Sequence, residues 1–590
     1  MSQTELSPTD TQAEQPVQRS NVVSDIRLAS LPPPGTWLAR IVNIIGPTVD
    51  RLLGIRKMRK IYDDFNLQGL DAKAFSQQVV DALNVTVNTS GKGLASLPET
   101  GRVLITCNHP YGGMEAVIII AALLRRRPDV KVLANTALQV FKELAPVMIY
   151  TNPLVTSQRN LGSIRQALAH LEDDGALVIF PAGKVSYYRK DLGRTTDEDW
   201  NRTVGHLLKR SGAQLLPIYI EGHNSKLFLA MGYIWSRLRL LMLPREMLKL
   251  NGKSVNILMG TTSSTAHLGQ ATMDDTTRLA RLLTYLQGVE RSLPEPPANE
   301  SNYKPLAPKS DGRAVQAEID ALPEEQRLLT YREFVVCCGH QEQMPTALAE
   351  LTRERERTFR EMREGSGEPV ETDSYDADYV HLLVWDTQKH AILGSYRMGH
   401  TDELRKRDRV YLTQMFDFQD EFFDNFAPSL ELGRSFVSPD YQKTHYSLHL
   451  LWRGIGAYTK LHSKYRRLYG TVSLSRMYDL RSICAMCDGL IVPTPMVQPR
   501  HPLDTDLGPE WQEFKAERVE ADGRLPLADV SNVVKGMEGG MDLPILLRHY
   551  HKVGAQFHAV GVDINFNHTP GLLLSVDLEQ VPERQKKTYL

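Results

Sequence analysis

Between residues 103 and 116 the chain reads V-L-I-T-C-N-H-P-Y-G-G-M-E-A. A histidine just past a buried strand, on a glycine-rich turn that opens a helix, can sit at a cleft mouth with one ring nitrogen free. An acid a short way on can bind the other nitrogen, set the tautomer and stabilise the imidazolium formed when the ring takes a proton. His109 and Glu115 are the residue types for that pair. The competing reading is a structural histidine beside an acid.

A second constellation lies in the other half of the chain. It comprises R-E-R-E-R-T-F at 353–359, E-T-D-S-Y-D-A-D-Y-V-H-L-L-V-W-D from Glu371, I-L-G-S-Y-R-M from Ile392 and L-E-L-G-R-S-F-V-S-P-D-Y from Leu430. Taken singly, acids beside a strand read as a solvated edge, and an arginine ending a strand, such as Arg397, reads as a surface pair. Glu431 and Arg434, three apart, read as a helix-face ion pair worth roughly a few tenths of a kcal/mol.

Such side chains need a rigid frame. Apolar runs of strand length at 103–106, 177–180 and 215–220 alternate with helical patterns at 114–124 and 161–171, which predicts an α/β layer domain with a largely buried sheet. Strand-like runs at 381–385, 392–397 and 572–576 and helix-like stretches at 348–362 and 447–464 predict a second unit, α+β or α/β with a mixed sheet. Between them S-L-P-E-P-P-A-N-E-S-N-Y-K-P-L-A-P-K-S-D-G has no apolar periodicity and reads as a linker. The expected organisation is a disordered leader at 1–30, a first domain at 31–288, a Pro-rich linker at 289–326 and a second domain at 327–590. No internal repeat relates the halves.

With 590 residues, 42% of them hydrophobic and 24% charged, the chain is globular; collagen-like, disordered and disulfide-rich classes are excluded. The net charge of -1 argues against a nucleic-acid partner, yet it hides a split: 34 basic against 27 acidic residues in 1–300, and 35 against 43 in 301–590. Five cysteines without regular spacing indicate a reducing compartment. Cys484 and Cys487 lack the second pair a zinc site needs and read as structural thiols, as do Cys337 and Cys338. Gly252-Lys253-Ser254 lacks the upstream glycine of a phosphate loop. No metal or organic cofactor is expected. The polar N-terminus lacks the order of a signal peptide.

No run reaches the ~20 apolar residues that span a bilayer. The nearest, L-F-L-A-M-G-Y-I-W-S-R-L-R-L-L-M-L at 227–243, is interrupted by Arg237 and Arg239, and 226–253 carries six basic residues and one acid. A basic, Trp-bearing apolar stretch can lie in the headgroup plane; the other reading is a buried helix with basic ends. A similar segment at 37–55 leads into R-K-M-R-K at 56–60. Peripheral membrane binding is the expectation.

Taken in order, N-H-P-Y-G-G with its downstream acid, F-P-A-G-K-V-S at 180–186 and L-L-P-I-Y-I-E-G at 215–222 resemble the glycerolipid acyltransferase family, over about 80–260. Its hemolysin-like and lyso-ornithine-lipid acyltransferase branch looks most similar. The resemblance implies that His109 is a general base on a hydroxyl acceptor, that Glu115 orients it, and that the alkoxide attacks an acyl thioester. Gly183 and Ser186 match the second block, with Lys184 a candidate acceptor contact. Five residues separate His109 from Glu115 instead of the family's usual four, so the pair depends on Gly112-Gly113 absorbing one. Ala182 and Val185 replace the Glu and Arg that phosphate-bearing acceptors meet, which weighs against glycerol 3-phosphate or lysophosphatidate.

The blocks of the second half continue through L-L-W-R-G-I-G-A-Y at 450–458, L-P-I-L-L-R-H-Y-H-K-V-G-A at 543–555 and V-D-I-N-F-N at 562–567. Over about 330–580 they resemble the ornithine N-acyltransferase family, which is related to acyl-homoserine-lactone synthases and has a GNAT-type fold. The resemblance implies attack of an amino group on a thioester with no covalent enzyme intermediate. A zwitterionic acceptor needs a cation for its carboxylate, for which Arg397 and Arg434 are candidates. Its ammonium groups and its proton need acids, for which Asp373, Asp376 and Glu431 are candidates. Arg355 and Phe359 match the family's early Arg-x-x-x-Phe and are alternatives for the acyl-carrier face.

The full domain order resembles the bifunctional ornithine-lipid synthases. This implies that the second half N-acylates ornithine, or glycine, lysine, serine or glutamine, with a 3-hydroxyacyl thioester, and that the first half O-acylates the product. The implied partners are acyl carrier protein, the amino acid, the lyso-aminolipid and a membrane surface, without nucleic acid, at the cytoplasmic face of the bacterial inner membrane. Basic runs at 125–127 or 405–409 are candidates for steering the acidic carrier. Two rival readings are a lysophospholipid acyltransferase fused to an unrelated N-acyltransferase, and a non-enzymatic membrane-binding protein.

Overall fold

Short strands build the first sheet, and the central ones, such as Val103–Cys107 and Ala176–Ile179, are apolar and buried on both faces. The strands are β1 (Thr86–Gly91), β2 (Val103–Cys107), β3 (Lys131–Asn135), β4 (Met148–Thr151), β5 (Ala176–Ile179), β6 (Gln214–Ile220) and β7 (Ser254–Met259), in the order β1-β7-β6-β2-β5-β3-β4. β2, β3, β4 and β5 pair in parallel, while β6 and β7 are antiparallel. Helix α1 (Met114–Leu123) is apolar all round apart from Glu115, so it has no solvent face, and all ten of its residues are buried. Strand, turn and buried helix follow one another directly at His109.

The computed structural model describes residues 48, 51, 53–151, 161–234, 236–268, 272–426, 428–444 and 446–590. The leader at 1–30 and nearly all of the segment at 37–55 lie outside the described residues. Two compact units result, one of residues up to 213 with 218–259 and one of 214–217 with 260–590. The run at 227–243 falls on two helices, Lys226–Ile234 and Ser236–Leu248; the side chains of 231–241, with Arg237 and Arg239, lie outside the description. Among the described residues no helix is long and apolar enough to cross a membrane.

The second sheet holds β8 (Leu329–Tyr331), β9 (Phe334–Gly339), β10 (Val380–Asp386), β11 (Ala391–His400), β12 (Ser429–Val437), β13 (Arg467–Ser473), β14 (Gln556–Asp563) and β15 (Thr569–Asp577). Their order is β8-β9-β10-β11-β12-β13-β15-β14, antiparallel throughout except where β12 runs parallel to β13. All five cysteines are buried, Cys484 and Cys487 on one helix, Leu480–Leu490, where burial pushes the Cys484 thiol up to about 12.

Two sequence expectations about boundaries need correction. The stretch at 289–326 is not all linker. Gly312–Ala321 is a helix, N-capped by Asp311, whose Val315 and Ile319 are fully buried among Leu348, Leu351 and Trp385. Upstream, the Ala298 N–H and C=O exchange hydrogen bonds with the Asn567 side-chain amide at 2.9 and 3.0 Å. Prolines and polar residues here satisfy backbone through distant side chains, which leaves no periodic signal. Replacing Ile319 by Ala should cost about 2–4 kcal/mol in denaturant unfolding, as a core truncation does; a true linker residue would change nothing.

The second correction concerns Met273–Leu286, inside the span expected for the first domain. A Thr272/Asp275 capping box starts this helix. Its apolar stripe packs within the second unit on Leu527–Met537, where Gly536 admits Leu283: a Cβ there would lie 2.5 Å from Leu283 Cδ1. An apolar stripe says that a helix is buried, not against what.

Candidate active sites

In the first unit the turn after β2 is pinned at its start. Asn108 imitates a strand neighbour, its Oδ1 accepting the Ile220 N–H at 2.7 Å and its Nδ2 donating to the Ile220 carbonyl at 2.9 Å. Gly112 takes a φ of 99°, which a side chain would resist. The turn aims the N–H groups of Tyr111 and Gly112 at Glu115 Oε1, at 3.1 and 2.8 Å, and the same oxygen lies 2.6 Å from His109 Nδ1. The extra residue between histidine and acid is taken up in this loop. The carboxylate is fully buried in the first turn of α1, where the helix dipole favours its charge.

His109 is left with Nε2 as the nitrogen not engaged by Glu115, on a side chain 17% exposed. Burial opposes protonation of the ring, but the Glu115 contact and the nearby Asp197 charge outweigh it and raise the pKa above 6.5. The Phe180 ring lies 4.9 Å from the imidazole, covering one face.

Asp197, absent from the sequence expectations, ties the two motif blocks together. Its Oδ1 accepts the His109 N–H at 3.2 Å and the Ser186 hydroxyl at 2.5 Å, and Oδ2 accepts Trp200 Nε1 at 3.1 Å. The Ser186 N–H in turn donates to the His109 carbonyl at 2.8 Å. Ser186 is therefore buried against Asp197, not turned toward an acceptor. Gly183, at φ 63°, makes the turn after β5, and Lys184 is 56% exposed and paired with Glu198 at 2.6 Å. In sequence, Asp197-Glu198-Asp199 looks like any solvated acidic run; nothing local distinguishes its first member.

In the second unit, β12 shapes the site. One residue of β11, Tyr396, opposes two of β12, Arg434 and Ser435, and Arg434 has a φ of 48°. This bulge re-aims a side chain that regular pleating would point away from Glu431. Pairing of β12 with β13 ends at Leu432 and Gly470. Beyond that point the strands part, and a cavity of about 40 Å³ opens, lined by Phe359, Arg434, Ser435, Thr471, Ser473 and Asp563 among others.

Behind the cavity three arginines interleave with three acids. Arg355 donates to Glu371 and Asp376, each at 3.1 Å; Arg397 donates to Asp376 at 3.1 Å and Asp373 at 2.5 Å. Arg434 donates to Glu371 at 2.7 Å, Asp373 at 3.2 Å and the Tyr411 hydroxyl at 2.9 Å. Against its own burial, Asp376 is held well below the usual carboxylate range by Arg355 and Arg397. Buried charges need such pairing, because removing one partner leaves another stranded.

The expected residues therefore divide. Phe359 and Arg434 reach the cavity, whereas Arg355, Arg397 and Asp376 form the buried cluster that braces it, with Asp373 linked to Arg434. Glu431 does not line it. Its carboxylate accepts the Tyr379 hydroxyl, the Tyr411 N–H at 3.2 Å and the Leu412 N–H at 2.8 Å, and so holds the segment carrying Tyr411. Nor does it pair with Arg434 across a helix face, since both lie on β12. Tyr411 donates to Asp563 at 2.8 Å, which puts an acid beside Arg434 at the cavity. A cation and an acid at this spacing can take the carboxylate and ammonium of an amino acid. Asp563 sits in the V-D-I-N-F-N block, a signal whose role spacing did not reveal.

Residues 61–289 match a family model described as acyltransferase, and residues 355–453 match one described as acetyltransferase (GNAT) domain. A glycine N(alpha)-acyltransferase of Bacteroides thetaiotaomicron is 26% identical over 272 residues, 42% of this chain and 79% of that protein. A lyso-glycine lipid O-acyltransferase of Phocaeicola vulgatus is 29% identical over 205 residues, 34% of this chain and 70% of that protein. Among solved structures, a 1-acyl-sn-glycerophosphate acyltransferase of Thermotoga maritima aligns with a TM-score of 0.27 and 13% identity, over 36% of this chain and 75% of that one.

Proposed function

We propose that this acyltransferase, in which an acyltransferase domain is followed by a GNAT domain, builds a doubly acylated aminolipid in two steps. The observation that carries the reading is that one chain matches both an amino-acid N-acyltransferase and a lyso-aminolipid O-acyltransferase. In the first step the second unit binds ornithine, its carboxylate on Arg434 and an ammonium near Asp563. The free amine attacks a 3-hydroxyacyl thioester, the C–N bond forms and the C–S bond breaks. In the second step His109 Nε2 takes the proton of the 3-hydroxyl group, and the alkoxide oxygen attacks a second thioester. Glu115 holds the tautomer and stabilises the imidazolium. The imidazolium then returns its proton to the departing thiolate.

Acyl carrier protein is the proposed carrier of both chains. A mono-acyl intermediate partitions into lipid, which supports work at the cytoplasmic face of a bacterial inner membrane. Glycine is the second reading for the acceptor, favoured by the names of the relatives. Purified full-length protein given acyl-carrier thioesters with either amino acid, analysed by mass spectrometry, tests this. Mono- and diacyl ornithine are expected; products from glycine alone would transfer the acceptor to the second reading, and none from either would overturn both readings of the acceptor.

Asp197→Asn keeps the shape of its site but removes one of the charges that raise the His109 pKa. O-acylation of supplied lyso-lipid should fall by about tenfold or more, a fraction of the ~10²–10⁴ assigned to a general base. The acid limb of its pH profile should move down. N-acylation should not change.

A further inference from the structure

Glu364 follows helix Pro345–Glu361, and its carboxyl is buried behind β13, with Oε2 accepting the Ser473 hydroxyl at 3.1 Å. Ser473 lines the cavity together with Arg434 and Asp563. The serine hydroxyl is thus a bridge between the cavity and a carboxyl that no acceptor reaches directly. The ion-pair cluster behind the cavity is otherwise unsuited to proton transfer, because its acids are committed to arginines: Glu371 to Arg355 and Arg434, Asp373 to Arg397 and Arg434, Asp376 to Arg355 and Arg397.

We infer that Glu364 is the proton acceptor of the N-acylating site, reached through the Ser473 hydroxyl. The inference rests on N-acyl transfer by this unit. An amino acid arrives with its nitrogen protonated and without a lone pair. One ammonium proton passes to Ser473 Oγ while the serine's own proton passes to the Glu364 carboxylate. The freed amine forms the C–N bond to the thioester carbon. As the C–S bond breaks, the remaining surplus proton on nitrogen goes to the departing thiolate, and Glu364 releases its proton to solvent. Bonds and protons balance with the amino acid and the thioester as the only reactants.

The carboxyl is tuned for this exchange. Burial raises its pKa to about 8, with the Ser473 hydrogen bond from β13 and the Arg434 charge from β12 acting in the opposite direction. A base works best when its pKa lies near the operating pH. The same shift affects stability: the folded chain holds this proton more tightly than the unfolded chain, whose carboxyl titrates near 4.5. Stability from this group is therefore present at low pH and is lost as pH climbs to about 8.

The test is the pH profile of N-acylation by the full chain, wild type against Glu364→Gln and Ser473→Ala, with O-acylation of supplied lyso-lipid as the control for folding. Wild-type rate should rise through a step near pH 8. Both variants should lose the step and about 10²-fold in rate at the plateau, with O-acylation kept. Melting of Glu364→Gln should be less sensitive to rising pH than that of wild type. A wild-type profile without the step, or variants that retain it at wild-type rate, would overturn the inference; the wild-type profile decides even if a variant does not fold. A chain that makes no N-acyl product from any amino acid would instead overturn the functional reading itself.

Discussion

His109→Ala should stop the pathway halfway. In a host without aminolipids, cells expressing this variant should accumulate the mono-acyl lipid and make no diacyl product, whereas wild type makes both. The size follows from the site. A positioned general base contributes ~10²–10⁴-fold, and Glu115, fully buried and held through Oε1 by two backbone N–H groups, cannot replace it. Wild-type O-acylation should also lose activity on acidification from above pH 6.5, because the ring is protonated more readily than an ordinary histidine. His109→Ala should be flat over that range. Diacyl lipid at wild-type levels in this variant would remove His109 from the reaction.

Glu431→Ala should abolish both lipids for a different reason. The buried carboxylate accepts three donors, and its loss strands the Leu412 N–H, while the Tyr379 hydroxyl is left with the Arg409 carbonyl and the Tyr411 N–H with the Tyr379 hydroxyl. Each unmet buried donor costs about 1–3 kcal/mol. The larger consequence is positional, since Tyr411 links Arg434 to Asp563. With that link displaced, the amino acid loses both anchors, and N-acylation should drop by about 10²-fold or more, as misplacement near the reacting atoms does. Adding synthetic lyso-lipid should restore the diacyl product, which separates this effect from global unfolding. Tyr411→Phe should reproduce part of the loss, mainly as a higher KM for the amino acid. If Glu431→Ala N-acylates normally, the bracing role assigned to this cluster is wrong.

Much of both units was legible in the chain. The strands at 103–107, 176–179 and 214–220 and the helix at 114–123 follow the apolar runs within a residue or two, because each is buried over all or most of its length and needs no partner to declare itself. The edge strand Thr86–Gly91, mostly exposed, gave no such pattern. The condition for Glu115 to reach His109, that Gly112-Gly113 take up one extra residue, is legible in the sequence, and Gly112 meets it at a φ of 99°, whereas the β12 bulge at Arg434 is not, since no residue-type preference announces a left-handed arginine.

The order of motif blocks, the alternation of elements and the pairing of His109 with Glu115 depend on neighbours a few residues away, so the sequence carried them. Tertiary structure decided what depends on distance along the chain. Asp197 meets His109 from 88 positions away, Tyr411 meets Asp563 across 152 and Ser473 meets Glu364 across 109. The same is true of the helix at 312–321, whose burial is conferred by strands that follow it, and of Arg434, which faces the cavity because β12 breaks its register. Local periodicity records whether a side chain leaves water. The partner it meets there, and hence whether it braces, binds or moves a proton, is set by which remote strands the fold brings alongside.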